Sequence, residues 1–136
     1  MGFYKKVADY FIASMKMYEH VPVDFRQPQN PMLEDSTAAA IAACGMLEIA
    51  QHMACGTKNA EHRNGNENGQ VYEDFAKELL YDIYTDRCDF TKENDCIVQK
   101  CTASYDELTH EYNIIYGDYF FMEAIFRLNG TGADIW

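Results

Sequence analysis

Glu48 is the only charged residue between Ala38 and Ala50. A helix of that composition is apolar nearly all round, so it belongs in the middle of a fold with other elements against several of its sides. Ala38, Ala39, Ala40, Ala42, Ala43 and Gly45 are small enough to let those neighbours approach closely. The rest of the chain must supply them.

It supplies helices. Phe3, Val7, Tyr10, Phe11, Ser14 and Tyr18 share one face of a first helix, with Lys5, Lys6, Asp9 and Lys16 mostly elsewhere. Asp35 or Ser36 is placed to cap the buried helix. Tyr72, Phe75, Leu79, Leu80 and Ile83 give a third helix a continuous apolar face. Gly117-Asp118 is expected to open a fourth, with Asp118 as its cap and Phe121, Ala124, Ile125 and Leu128 on one stripe. Asn129-Gly130 reads as its end. Three long connectors remain, over 19–34, 56–70 and 87–116. The first contains Pro22, Pro28 and Pro31, which a helix interior rejects. The second is rich in Asn and Gly, and the third lacks helical period, with Cys96-Ile97-Val98 as a short strand candidate. The fold class is all-α, with residues 1–136 as a single domain.

Composition narrows the partners. The chain has 11 Lys and Arg against 22 Asp and Glu, a net charge of −11. Polyanions such as nucleic acid or an anionic lipid surface are therefore excluded as partners. No apolar run approaches the ~18–20 residues of a bilayer span, which excludes a membrane segment on length. Cys44, Cys55, Cys88, Cys96 and Cys101 are odd in number and do not read as a disulfide framework. Free thiols point to a reducing compartment, hence a cytoplasmic location. Their gaps fit no zinc pattern, and the histidines stand scattered at 20, 52, 62 and 110, so no metal or other cofactor is expected.

Two motifs go beyond a generic helical domain. Val21-Pro22-Val23-Asp24-Phe25 is followed by Glu34-Asp35-Ser36-Thr37-Ala38-Ala39-Ala40-Ile41-Ala42-Ala43-Cys44-Gly45-Met46-Leu47-Glu48. Later comes Ile115-Tyr116-Gly117-Asp118-Tyr119-Phe120-Phe121-Met122-Glu123-Ala124-Ile125-Phe126-Arg127-Leu128, with a terminal Trp136. In this order they resemble the C-terminal part of the unsaturated glucuronyl hydrolases, glycoside hydrolase family 88, from about residue 10 onward. That family reads P-x-W-D-F, then D-S-S-A-x-A-I-A-x-x-G-L-L-E-L, then I-W-G-D-Y-Y-x-L-E-A-L-x-R.

The resemblance implies an (α/α)6 toroid of six helical hairpins around a central pocket. Twelve helices with short connections need roughly 190–240 residues, so this chain amounts to about one third of the ring. The implied substrate is an oligosaccharide carrying an unsaturated uronic acid. An Asp hydrates its C4=C5 double bond as general acid and base, and the hemiketal then collapses to release the partner sugar. This differs from hydrolysis between two flanking carboxylates. The acid/base Asp and its companion belong to the family's N-terminal half, so no residue here is assigned as catalytic.

The expected contributions to the pocket come from Asp24, Lys100, Ser104, Tyr116 and Tyr119. Asp24 either binds a loop backbone or lines the pocket. Tyr116 and Tyr119 each carry a phenol suited to a sugar, with one of them expected in the core. Lys100 stands where the family's L-x-H-G-x-x-S loop has its His. It either pairs with the uronate carboxylate or is an exposed lysine with no partner. Ser104 is kept. Members that act on sulfated fragments continue S-x-x-S-x-K, and here Glu107 and Thr109 take the later places. A carboxylate facing a sulfate is repulsive, which favours an unsulfated substrate. Val23 replaces the motif's Trp.

Two alternatives are a related rhamnogalacturonyl hydrolase and a non-catalytic helical remnant or subunit that assembles with a separate N-terminal chain. A third of a toroid leaves apolar helix faces uncovered, so self-association or a missing N-terminal half is expected.

Overall fold

The computed structural model describes residues 2–56 and 66–130, and the side chains of 66–68 are set aside. Residues 57–65 of the expected 56–70 connector and Trp136 lie outside that range. Four helices are present among the described residues, α1 (Phe3–Met15), α2 (Ser36–Gly56), α3 (Asn66–Asp86) and α4 (Ile115–Leu128). They correspond to about a third of an (α/α)6 toroid. Isolated bridges at Pro22–Glu34, Cys88–Val98 and Cys101–Tyr112 replace the strand expected at Cys96-Ile97-Val98.

α2 is the central element. Ala39, Ala40, Ala43, Cys44, Met46, Leu47 and Ala50 are buried, as are Tyr72, Ala76, Leu79, Leu80 and Ile83 of α3 and Ala124 of α4. Burial of this apolar surface is the main force holding the helices together. Ser36–Cys55 is 20 residues long with mean hydropathy 1.3, long and apolar enough to cross a membrane. The length-based exclusion therefore fails for this helix. Its packing against α3 and α4 is that of a core helix.

Side-chain contacts fix the helix directions. Cys44 Sγ donates to the Phe120 carbonyl and Gln51 Nε2 to that of Arg127, so α2 and α4 run parallel. Tyr72 donates to Asp9, Phe11 packs edge-on to Phe75, and His20 meets Asp82, so α1 and α3 run parallel to each other. Gly69, at the start of α3, lies against Ala50 and Met53 near the end of α2, which makes α2 and α3 antiparallel. The C-terminal ends of α1 and α3 thus share one end of the bundle with the N-terminal ends of α2 and α4.

Three expectations change. α3 begins at Asn66, inside the segment read as a 56–70 loop. A Cβ on Gly69 would stand 3.5 Å from both the Ala50 carbonyl oxygen and Met53 Cβ, ordinary van der Waals contact, so α3 packs on α2 here with room for an alanine. α1 buries Ala8 and Met15, whereas Phe3, Val7 and Tyr10 of the expected core face are exposed. Tyr10 borders a small cleft with Asp24 and Phe25, and Phe3 and Val7 border a separate apolar cleft of about 560 Å³ between α1 and α2. Gly45 also faces this cleft and has no atom within 4 Å of its would-be Cβ. α4 begins at Ile115, with Ile114 as an N-cap that makes no side-chain cap bond.

Candidate functional site

The connectors 16–35 and 87–114 meet at the shared end of the bundle, and every site residue expected from the sequence lies there. Asp35 joins them. Its Oδ1 accepts the Thr37 N–H at 3.0 Å, as an N-cap does, and the Thr102 N–H at 3.0 Å. Ser36 is buried in the first turn of α2 and donates its own N–H to the Lys100 carbonyl at 3.0 Å. Thr102 Oγ1 donates to the Glu34 carbonyl at 2.9 Å and accepts the Glu111 N–H at 2.9 Å. Burial raises the Asp35 pKa, and its backbone donors pull against that shift. The carboxyl is thereby engaged with amides.

Asp118 is the clearest correction. It sits within the first turn of α4, after the Ile114 cap. Its two carboxylate oxygens accept the N–H groups of Ile97 at 3.1 Å and Val98 at 2.7 Å. The side chain turns toward the 87–114 connector because the first-turn amides of α4 start three residues earlier. Gly117 completes the contact. A Cβ there would fall 2.6 Å from Cys101 Sγ and 3.3 Å from Val98 Cβ. Val98 and Cys101 are fully buried beneath it. The Gly-Asp pair therefore fastens a loop to a helix.

Lys100 is not a lysine without a partner, one of its two expected roles. It is paired, with Nζ 3.4 Å from Glu111 Oε2 and 3.7 Å from Glu34 Oε1. Glu34 is buried and also receives Arg87 through Nε at 2.6 Å and Nη2 at 3.0 Å, a two-pronged fork. Glu111 Oε1 accepts the Glu34 N–H at 3.1 Å. Two acids and two bases thus form a charge-balanced network across both connectors. Lys100 and Glu111 have φ of 58° and 54°, left-handed conformations that non-glycine residues seldom adopt and that surrounding structure must hold in place.

The other expected residues are more open. Asp24 is exposed, and its Oδ1 accepts the Arg26 N–H at 2.7 Å, so it binds loop backbone as it borders a small cleft with Tyr10 and Phe25. Ser104 is half-buried, and its hydroxyl accepts the Asp106 N–H at 3.3 Å. Tyr116 is 61% exposed and Tyr119 37% exposed, so neither is in the core. The ring of Tyr119 packs edge-on to Phe120. Glu107 receives the Tyr112 hydroxyl at 3.1 Å.

Comparison with known proteins bears on the family and the fold. No family profile matches the chain. A curated unsaturated glucuronyl hydrolase from Bacillus sp. (strain GL1) is 32% identical over 141 aligned positions, 97% of this chain and 33% of its own length. The solved structure of unsaturated glucuronyl hydrolase from Bacillus sp. GL1, responsible for the degradation of glycosaminoglycan, superposes with a TM-score of 0.74 at 28% identity. It is covered over 33% of its length and covers 94% of this chain. A UGL variant with dGlcA-Glc-Rha-Glc gives the same figures. The chain matches the unsaturated glucuronyl hydrolases. It spans about a third of the relatives found, a share consistent with a C-terminal portion.

Several residues of the two sequence motifs have a structural explanation in this chain. Asp35 caps α2 and holds Thr102, while Gly117-Asp118 seats the 97–101 segment. Sequence reading missed Glu34, Arg87, Thr102 and Glu111 as the network that joins the connectors. The only available signal was Glu34 beside Asp35 at the head of an apolar helix. Its partners lie 53 and 77 positions away, beyond the reach of local pattern.

Proposed function

We propose that this chain forms part of the wall of a carbohydrate pocket in an unsaturated glucuronyl hydrolase acting on unsulfated oligosaccharides that end in an unsaturated uronic acid. The supporting observation is the match to the unsaturated glucuronyl hydrolases. Tyr116 and Tyr119 are exposed at the start of α4, and Asp24 and Ser104 lie on the two connectors. Asp35, Asp118 and the Glu34–Arg87–Lys100–Glu111 network hold those connectors in place. Tyrosines with an open aromatic face and a phenol at the rim suit a sugar, which offers both C–H surfaces and hydroxyls. Lys100 acts on substrate indirectly, because its charge is shared between two carboxylates. Glu107 disfavours a sulfate at this face.

The acid that hydrates the C4=C5 double bond is supplied from outside these residues. Asp35 and Asp118 are engaged with backbone amides, and Asp24 holds a turn. A general acid must instead be able to give its proton to the reacting carbon. The cleft between α1 and α2, with Phe3, Val7 and Ile41 exposed beside it, is where further helical hairpins of the toroid pack.

Loss of the double bond's ultraviolet absorbance tests the reading. The chain alone should leave an unsaturated glucuronyl disaccharide unchanged. A chimera carrying it in place of the matching third of the Bacillus sp. GL1 enzyme should turn over, and Tyr116→Phe and Ser104→Ala should slow that chimera. Turnover proportional to the concentration of the isolated chain would overturn the assignment of the acid. An active chimera indifferent to both substitutions would overturn the wall.

A further inference from the structure

The histidines look unrelated in the sequence, yet the fold brings His20 onto two carboxylates. His20 leaves the first connector beside α3, where Asp82 and Asp86 lie four residues apart and share a face. One ligand atom from each of His20, Asp82 and Asp86 lies within 4.8 Å of the other two. His20 Nδ1 is 2.9 Å from Asp82 Oδ2, with side chains only 14% and 29% exposed. A cavity of about 410 Å³ between α1 and α3 opens beside Asp82 and is walled also by Glu19, Glu78 and the single base Lys16. It gives an ion a route to the group and adds carboxylates near it.

We propose that His20, Asp82 and Asp86 form a binding site for a divalent cation of the zinc type, which clips the first connector to α3. One imidazole and two carboxylates suit a borderline metal. With bonds of about 2.1 Å, tetrahedral ligands stand roughly 3.4 Å apart. Small rotations of the exposed Asp86 side chain bring the set to that spacing, and water completes the fourth position. Metal binding displaces the proton between His20 Nδ1 and Asp82 Oδ2, which are hydrogen-bonded at 2.9 Å. The two carboxylates repel each other when no cation lies between them. Arg87 makes no hydrogen bond to either carboxylate, because Nε and Nη2 are on Glu34 and Nη1 is on the Asp86 carbonyl. The site differs from the carbohydrate face in its residues and stands whether or not that reading holds.

The test is titration of the chelator-treated chain with zinc chloride, followed by calorimetry and thermal unfolding. Cobalt(II) serves as a spectroscopic probe in a parallel titration. One equivalent should bind, raise the unfolding midpoint, and give a cobalt spectrum without a thiolate charge-transfer band. Asp86→Asn lies on an exposed side chain and keeps the fold, and it should weaken binding by about tenfold or more. His20→Gln should do the same. Absence of saturable binding at millimolar metal would overturn the site. So would a thiolate band, or affinity unchanged in Asp86→Asn.

Discussion

The place where a Cβ would stand on Gly117 is 2.6 Å from Cys101 Sγ. No van der Waals contact is that short, so the α4–connector junction requires a glycine at this position for space. Its backbone is ordinary helix, and conformational freedom is not the reason. Gly117→Ala should destabilise the fold by about 1–3 kcal/mol through overpacking. Urea unfolding of Gly117→Ala, Cys101→Ala and the double variant checks this. Strict additivity of the two changes would show that the contact is not the cause.

Asp118 should matter through its acceptors. Asp118→Ala leaves the Ile97 and Val98 amides without their partner beside a fully buried side chain, a loss of about 1–3 kcal/mol. Asp118→Asn keeps one acceptor oxygen and should lose less. Hydrogen exchange should report the change locally, with the Val98 amide losing protection first. Equal effects from both variants would mean that the carboxylate's two bonds are not what holds the loop.

The Glu34–Arg87 fork predicts a larger loss. Removing one member of a buried, hydrogen-bonded ion pair typically costs about 3–5 kcal/mol, and Arg87→Ala leaves the buried Glu34 carboxylate with Lys100 Nζ, 3.7 Å away, as its remaining base among the described residues. Arg87→Ala should destabilise beyond Lys100→Ala, because the Lys100 side chain is 45% exposed. Thermal midpoints of the two variants would decide the order.

Asp35 gives a pH dependence of definite sign. Its folded-state pKa is raised above the ordinary 3.8, so the folded chain holds this proton more tightly than the unfolded chain. The stability from this group is fully present below the unfolded value and is lost as pH rises through the folded one. Asp35→Asn removes that dependence while keeping an acceptor for Thr37 and Thr102. The difference in unfolding free energy between Asp35→Asn and the parent should therefore shift in favour of the variant as pH rises above about 4. A difference that is flat with pH would contradict the shift.

Thiol reactivity should follow burial. Burial, with the nearby Glu123 carboxylate, pushes the Cys44 thiol up to about 12. Cys88, affected by burial and by Asp118, is pushed up to about 11. Cys55 is exposed. Brief iodoacetamide treatment at pH 8 should modify Cys55 well ahead of Cys44 and Cys101. Mass mapping of labelled peptides reads the order directly.

The sequence by itself determined the helices and the centre of the fold. Local periodicity and one nearly uncharged segment suffice for that, because an apolar helix must be surrounded. It also carried the resemblance, since the two long motifs recur in linear order. Only the tertiary structure decided what the motif residues do. Asp118 reads as a cap in sequence, yet its partners stand 20 and 21 positions back along the chain. Lys100 reads as a pocket cation or a lysine without a partner, and the fold pairs it with Glu34, 66 positions away, and with Glu111. His20 reads as isolated until α3 brings Asp82 beside it, 62 positions on. Hydrogen bonds and ion pairs act over a few ångströms and leave no period in the sequence. The packing of the connectors had to bring those partners together.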